Sequence, residues 1–130
     1  MENPNDNSKY KSQVVGEMEI RVIDILNLSI SEGTKILLGP SNIEHMKSEH
    51  PEDFEKYGDK LEEILSSPDY VAKHPKKDSI EYIKVYDGHV LVAVRISKGG
   101  KLYARTLFTM DPSKVERYKQ KGALMPYKKD

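Results

Sequence analysis

Asp87-Gly88 stands between two runs of alternating, β-branched sequence, IEYIKVY (residues 80–86) and HVLVAVRIS (residues 89–97). Asp-Gly readily takes the backbone of a two-residue hairpin turn, so the two runs are predicted to pair antiparallel around it. The turn KGG (residues 98–100) then leads into KLYARTLFTM (residues 101–110), a third strand with the same alternation. Three consecutive antiparallel strands are therefore expected in the second half of the chain.

The turn lengths also set a register. A two-residue loop pairs Tyr86 with His89, Lys84 with Leu91, Tyr82 with Ala93 and Ile80 with Arg95. A three-residue loop pairs Arg95 with Tyr103, Ala93 with Arg105, Leu91 with Leu107 and His89 with Thr109. Directly opposed residues share a face. One face is then apolar, with Ile83, Val85, Val90, Val92, Val94, Ile96, Leu102, Ala104, Phe108 and Met110, and is the expected core. The other carries Tyr82, Lys84, Tyr86, His89, Arg95, Tyr103, Arg105 and Thr109. Tyrosines stack on bases, arginines fork onto phosphate and histidine moves protons near neutral pH. Solvent faces of antiparallel sheets also carry such residues for β-propensity and solubility alone, and periodicity by itself favours that reading.

Upstream, GEMEIRVIDILNLSI (residues 16–30) alternates Met18, Ile20 and Val22, then Leu26, Leu28 and Ile30, and reads as a bent strand. KILL (residues 35–38) is a second strand. Gly39-Pro40 ends it, and Ser41 with Glu44 has the spacing of a capping box for a helix from Asn42 to about His50. Pro51 suits the first turn of a second helical piece, Gly58 breaks it, and Pro68 ends the helical region. Asp111-Pro112 starts a last helix that runs to about Gln120. Residues 1–13 are expected to form a polar tail, 14–121 one domain, and 122–130 a frayed end.

Two histidines, His45 and His50, fall in the first of these helical pieces. Five residues apart, they sit on different faces of a helix, which argues against a two-histidine metal site. His45 and Glu49 share a face, as a proton-transfer group with its orienting carboxylate would, or as an exposed ion pair of little consequence would. His50 continues the apolar line of Ile43 and Met46. His74, in KHPKKDS, reads as a surface residue.

The charge balance is even, 21 basic against 21 acidic residues, which counts against a large phosphate-binding footprint without excluding a local one. Cysteine is absent, removing disulfides and thiolate metal sites and fitting the reducing cytoplasm. No apolar run is long enough to span a bilayer. No glycine-rich phosphate loop, G-x-S-x-G or H-E-x-x-H motif occurs, and no carboxylate cluster suits Mg²⁺. No cofactor or metal is expected.

The order ILLGPSNIEHMKSEHPEDF, EEILSSPDYV and then hairpins ending in ARTLFTM resembles the phage-encoded barnase–EndoU–colicin–RelE-like nucleases over residues 35–110. The matching elements are His45, His50-Pro51, Pro68-Asp69-Tyr70-Val71 and Thr109. The resemblance implies an α+β fold, an antiparallel sheet of about five strands with helices packed on one face. It also implies metal-independent RNA cleavage by attack of the ribose 2′-OH, in a mobile-element or toxin setting with RNA as substrate and an inhibitory immunity protein as partner. By motif position, His45 and His50 are the acid–base pair and Thr109 a phosphate contact. Sheet geometry adds Arg95 and Arg105 as phosphate clamps, with Tyr82, Lys84, Tyr86, His89 and Tyr103 beside them to bind substrate, and His89 as a rival proton carrier. The alternative is a catalytically inactive RNA- or protein-binding module on the same fold.

Overall fold

The computed structural model describes residues 12–128; residues 1–11 of the expected tail lie outside them. Strand β1 (Gln13–Glu17) is followed by helix α1 (Ile20–Leu26), β2 (Lys35–Leu38), α2 (Pro40–Glu49), α3 (Pro51–Tyr57) and, after one 3₁₀ turn, α4 (Leu61–Ser66). Then come β3 (Tyr70–Lys73), β4 (Ser79–Val85), β5 (His89–Ile96), β6 (Leu102–Thr109), α5 (Pro112–Gln120) and β7 (Met125–Pro126). The strands form one sheet in the order β1-β2-β6-β5-β4-β3-β7. Every neighbouring pair is antiparallel except β2 with β6. The expected α+β class holds, with seven strands rather than about five.

The stretch read as a bent strand is largely α1. Its β-branched residues mimic strand alternation, yet the segment is bounded as a helix. Glu19 precedes it in extended geometry, and Asn27 closes it in the left-handed region (φ 54°), donating its N–H to the carbonyl of Ile23. Helix α2 also begins earlier than the capping-box reading places it. Gly39 is its N-cap, Pro40 occupies the first turn, and the Gly39 N–H donates to Asn42 Oδ1 at 2.8 Å.

Two departures from ideal hairpin geometry decide which side chains share a face. Val85, not Tyr86, lies opposite His89, so the turn holds Tyr86, Asp87 and Gly88. This one-residue slip carries every alternate residue of β4 to the opposite side of the sheet. In the β5–β6 pair, Ala93 faces Thr106 while Val94 faces Ala104, leaving Arg105 as the extra residue of a β-bulge. The main core accordingly takes Ile80, Tyr82, Val90, Val92, Val94, Leu102, Ala104 and Leu107 from the sheet. Val22 of α1, Met46 of α2 and Ile64 and Leu65 of α4 pack on them. A smaller cluster lies on the opposite face, where α5 sets Val115 on Ile83, Leu91 and Met110, with Phe108 and Tyr118 beside them. Helices therefore cover parts of both faces, and Ile83 and Phe108 belong to the second rather than the main core.

Of the end expected to be frayed (122–130), residues 125–127 lie along the sheet edge instead, and residues 129–130 lie outside the described ones. Met125 and Pro126 pair with Val71 and Tyr70, and Tyr127 is buried with its hydroxyl donating to Glu19. Two residues of strand carry no readable periodicity, so nothing in the sequence marks this edge.

Candidate active site

Strand β2 pairs with β6 only at Ile36–Leu102 and Leu37–Tyr103. Beyond Tyr103 the edge of β6 is covered by α2 and α3 instead. This arrangement brings the two-helix segment with its histidines against the strand that carries Tyr103, Arg105 and Phe108.

Arg95 and Arg105 converge on the face opposite the main core. Arg95 faces Tyr103 across the β5–β6 pair, and the bulge turns Arg105 onto the same side. Both are exposed, and among the described residues neither has a carboxylate within ion-pair distance. Together they form the divide between two hollows. The larger, about 410 Å³, is bounded by the start of α2 (Pro40, Ser41, Asn42) and by Tyr103. The smaller, about 190 Å³, is bounded by His74, Lys77, Glu81, Thr106, Phe108 and Lys114. Four cations thus surround one small hollow of a chain whose net charge is zero. Two convergent guanidinium groups beside a helix N-terminus are a geometry suited to gripping an anion with several oxygens.

His50 sits at the joint between α2 and α3. The residue before a proline is excluded from helical geometry, so α2 stops there (φ −140°, ψ 67°) and the ring swings to the edge of the sheet. It stacks on Phe108 with ring centroids 5.0 Å apart, and the Lys114 ammonium lies 5.1 Å from the same ring. Phe108 lines the smaller hollow, so His50 stands one ring away from it. His45 is half-buried on α2, lines neither hollow, and makes no ion pair with Glu49 among the described residues.

The other expected contacts are distributed differently. Tyr82 is 1% exposed, inside the main core, with its hydroxyl 4.0 Å from the Met18 sulfur, and burial raises its pKa. Lys84 donates to the Ser67 carbonyl at 2.7 Å, and Tyr86 stacks on Tyr57 and donates to Glu63. All three left the arginine face through the slip at the hairpin. Thr109 also leaves it, because of the bulge; its N–H and its hydroxyl both donate to Asp53 at 2.9 Å, so it pins α3 to β6. His89 stays on the arginine face but stacks on Tyr70 at the far end of β5, six residues or roughly 20 Å from Arg95.

Sequence reasoning missed His74, Glu81 and Lys114. Glu81 is 4% exposed and accepts the Tyr118 hydroxyl at 2.8 Å, a bond that together with burial pushes the tyrosine pKa up, burial being the larger cause. A carboxylate set between Ile80 and Tyr82 in the middle of a strand is the signal that marks it. Among the described residues no three or more His, Asp and Glu side chains gather as a metal site, and no helix is long and apolar enough to cross a membrane.

No curated protein and no solved structure matches the chain. A family model does: that described as phage-Barnase-EndoU-ColicinE5/D-RelE like nuclease3 matches residues 13–117, from the start of β1 into α5. Most of the chain is spanned by that match, and it therefore belongs to the phage-Barnase-EndoU-ColicinE5/D-RelE like nuclease family.

Proposed function

We propose that this nuclease cleaves RNA without a metal ion, by attack of a ribose 2′-OH on the adjacent phosphate. His45 and His50, the two imidazoles of the motif, form the acid–base pair: one takes the 2′-OH proton as the oxygen bonds to phosphorus, and the other gives a proton to the 5′-oxygen as its bond to phosphorus breaks. The products are a 2′,3′-cyclic phosphate and a 5′-hydroxyl. Arg95 and Arg105 hold the phosphate oxygens as negative charge builds in the transition state, and Tyr103 offers a ring for a neighbouring base. The observation that carries this reading is that Arg95 and Arg105 both line both hollows and, among the described residues, have no carboxylate within ion-pair distance. RNA cleavage is harmful to the cell that houses it, which accounts for an inhibitory protein partner.

Incubating the purified protein with RNA in EDTA tests the reading. Cyclic phosphate ends should appear, and His50→Ala should slow their formation by about 10²–10⁴-fold. One observation favours a second reading, a binding module on the same fold: the His50 ring lies flat on Phe108 and lines neither hollow. RNA that stays intact in EDTA while binding in a salt-sensitive manner would establish that module instead.

A further inference from the structure

The loop between β3 and β4 holds a histidine that the acid–base scheme does not use. His74 is half-buried, and its Nδ1 accepts two backbone N–H bonds, from Lys76 at 3.1 Å and Lys77 at 3.2 Å. A neutral imidazole has one donor and one acceptor nitrogen, so with Nδ1 occupied as acceptor the ring proton sits on Nε2. Of the four histidines, His74 alone lines a hollow with Arg95 and Arg105; His45, His50 and His89 line neither.

We infer that His74 is a fixed, neutral hydrogen-bond donor to a non-bridging phosphate oxygen of the RNA, held by Lys76 and Lys77 N–H on Nδ1 and acting through Nε2 in the hollow it shares with both arginines. The inference rests on the reading of this face as an RNA-cleaving site. The same two bonds that fix the ring unfit it for moving protons. To act as a base it would need a bare Nε2, hence a proton on Nδ1, which already faces two N–H donors. To act as an acid it would need that second proton as well. His50, by contrast, is held by stacking on Phe108, a contact that fixes the ring plane and leaves the tautomer unset. A directed donor also suits its surroundings. Arg95, Arg105, Lys77 and Lys114 already supply positive charge around the hollow, beside the Glu81 carboxyl. An N–H aimed at the developing oxyanion adds a directed contact to these charges.

Two substitutions separate this role from its rivals. In His74→Asn the amide oxygen stands where Nδ1 does, so the loop keeps its acceptor while the distal donor is gone. In His74→Gln an amide N–H stands near the place of Nε2–H. On an RNA oligonucleotide in EDTA, His74→Asn should lower kcat/KM by about 10²–10³-fold, the loss typical of one oxyanion donor, and His74→Gln should recover at least about tenfold of it. If His74→Asn cleaves within about threefold of wild type, the ring only shapes the loop and the inference fails. Should His74→Gln be as slow as His74→Asn, the ring carries protons, and the inference fails equally. Nitrogen-15 NMR of the full chain bound to a 2′-deoxy oligonucleotide, which cannot be cut, gives a readout apart from turnover. The His74 ring should keep its proton on Nε2 alone, and protonation of Nδ1 would overturn the assignment. A wild-type protein that leaves RNA intact defeats the cleavage reading and this inference together. Wild-type cleavage with an unaffected His74→Asn defeats only the inference.

Discussion

At the scale of single residues, the site depends on positions one residue apart in register. The shared face of Arg95 and Arg105 was legible in the sequence from alternation with Val94, Ile96 and Ala104, although Arg105 sits there as the extra residue of a bulge rather than opposite Ala93. Tyr82, Lys84 and Tyr86 were not, because Asp87-Gly88 signals a turn but not the extra residue that Tyr86 adds to it. The aromatic and cationic character read from the sequence was real, yet three of its members lie on the side of the main core. Tyr82 gives the sharpest residue-level test. Its hydroxyl meets only a sulfur at 4.0 Å, a weak acceptor. Tyr82→Phe should therefore change unfolding free energy by less than about 1 kcal/mol and leave cleavage intact, whereas Tyr82→Ala should cost about 3–5 kcal/mol in urea unfolding. Lost RNA binding in a normally folded Tyr82→Phe would return this side chain to the substrate surface.

At the scale of elements, the site depends on how α2 and α3 are held along the free edge of β6. Asp53 does this by accepting both the N–H and the hydroxyl of Thr109. Hydrogen bonds to a charged acceptor contribute about 1.5–3 kcal/mol, so Asp53→Ala should lose stability of that order in denaturant unfolding. It should also slow cleavage, since His50 stands three residues before the anchor. Full stability in Asp53→Ala would show that α3 is held by its apolar contacts alone. The strand β2, the start of α3 and the helix α5 were readable from Pro and Gly positions. Helix α1 was not, since β-branched residues imitate strand alternation until tertiary packing of Val22 decides.

The last element, β7, is tied down by Tyr127, whose pKa is raised to about 12 by burial first and then by the Glu19 hydrogen bond. A pKa higher in the folded than in the unfolded chain favours folding only while the phenol stays protonated. The contribution is complete below the usual value near 10 and disappears as pH rises from there to about 12. Phenolate absorbance and tyrosine fluorescence followed together should show β7 releasing in that window. In Tyr127→Phe, which lacks the titrating group, the alkaline transition of this edge should vanish.

At the scale of the whole molecule, a net charge of zero hides a local concentration of cations on one face of the sheet. Composition alone argued against a broad nucleic-acid footprint, and the structure agrees in one respect: Arg95, Arg105, Lys77 and Lys114 form a compact group. Four phosphate contacts at most give a salt dependence, as log K against log salt, no steeper than about −3 on single-stranded RNA. A steeper slope would mean that a wider surface of the chain tracks the backbone. The family assignment makes such a compact grip reasonable for an enzyme that needs to position one phosphodiester rather than read a long strand.

The central claim is that the paired guanidinium groups of Arg95 and Arg105 seat the phosphate that is cut. Single-turnover cleavage of one RNA oligonucleotide in EDTA, compared between the wild type and Arg105→Ala at saturating protein, tests it most directly. A loss of about 10²–10³-fold in the chemical step is expected. An Arg105→Ala protein that folds and cuts at the wild-type rate would contradict the account.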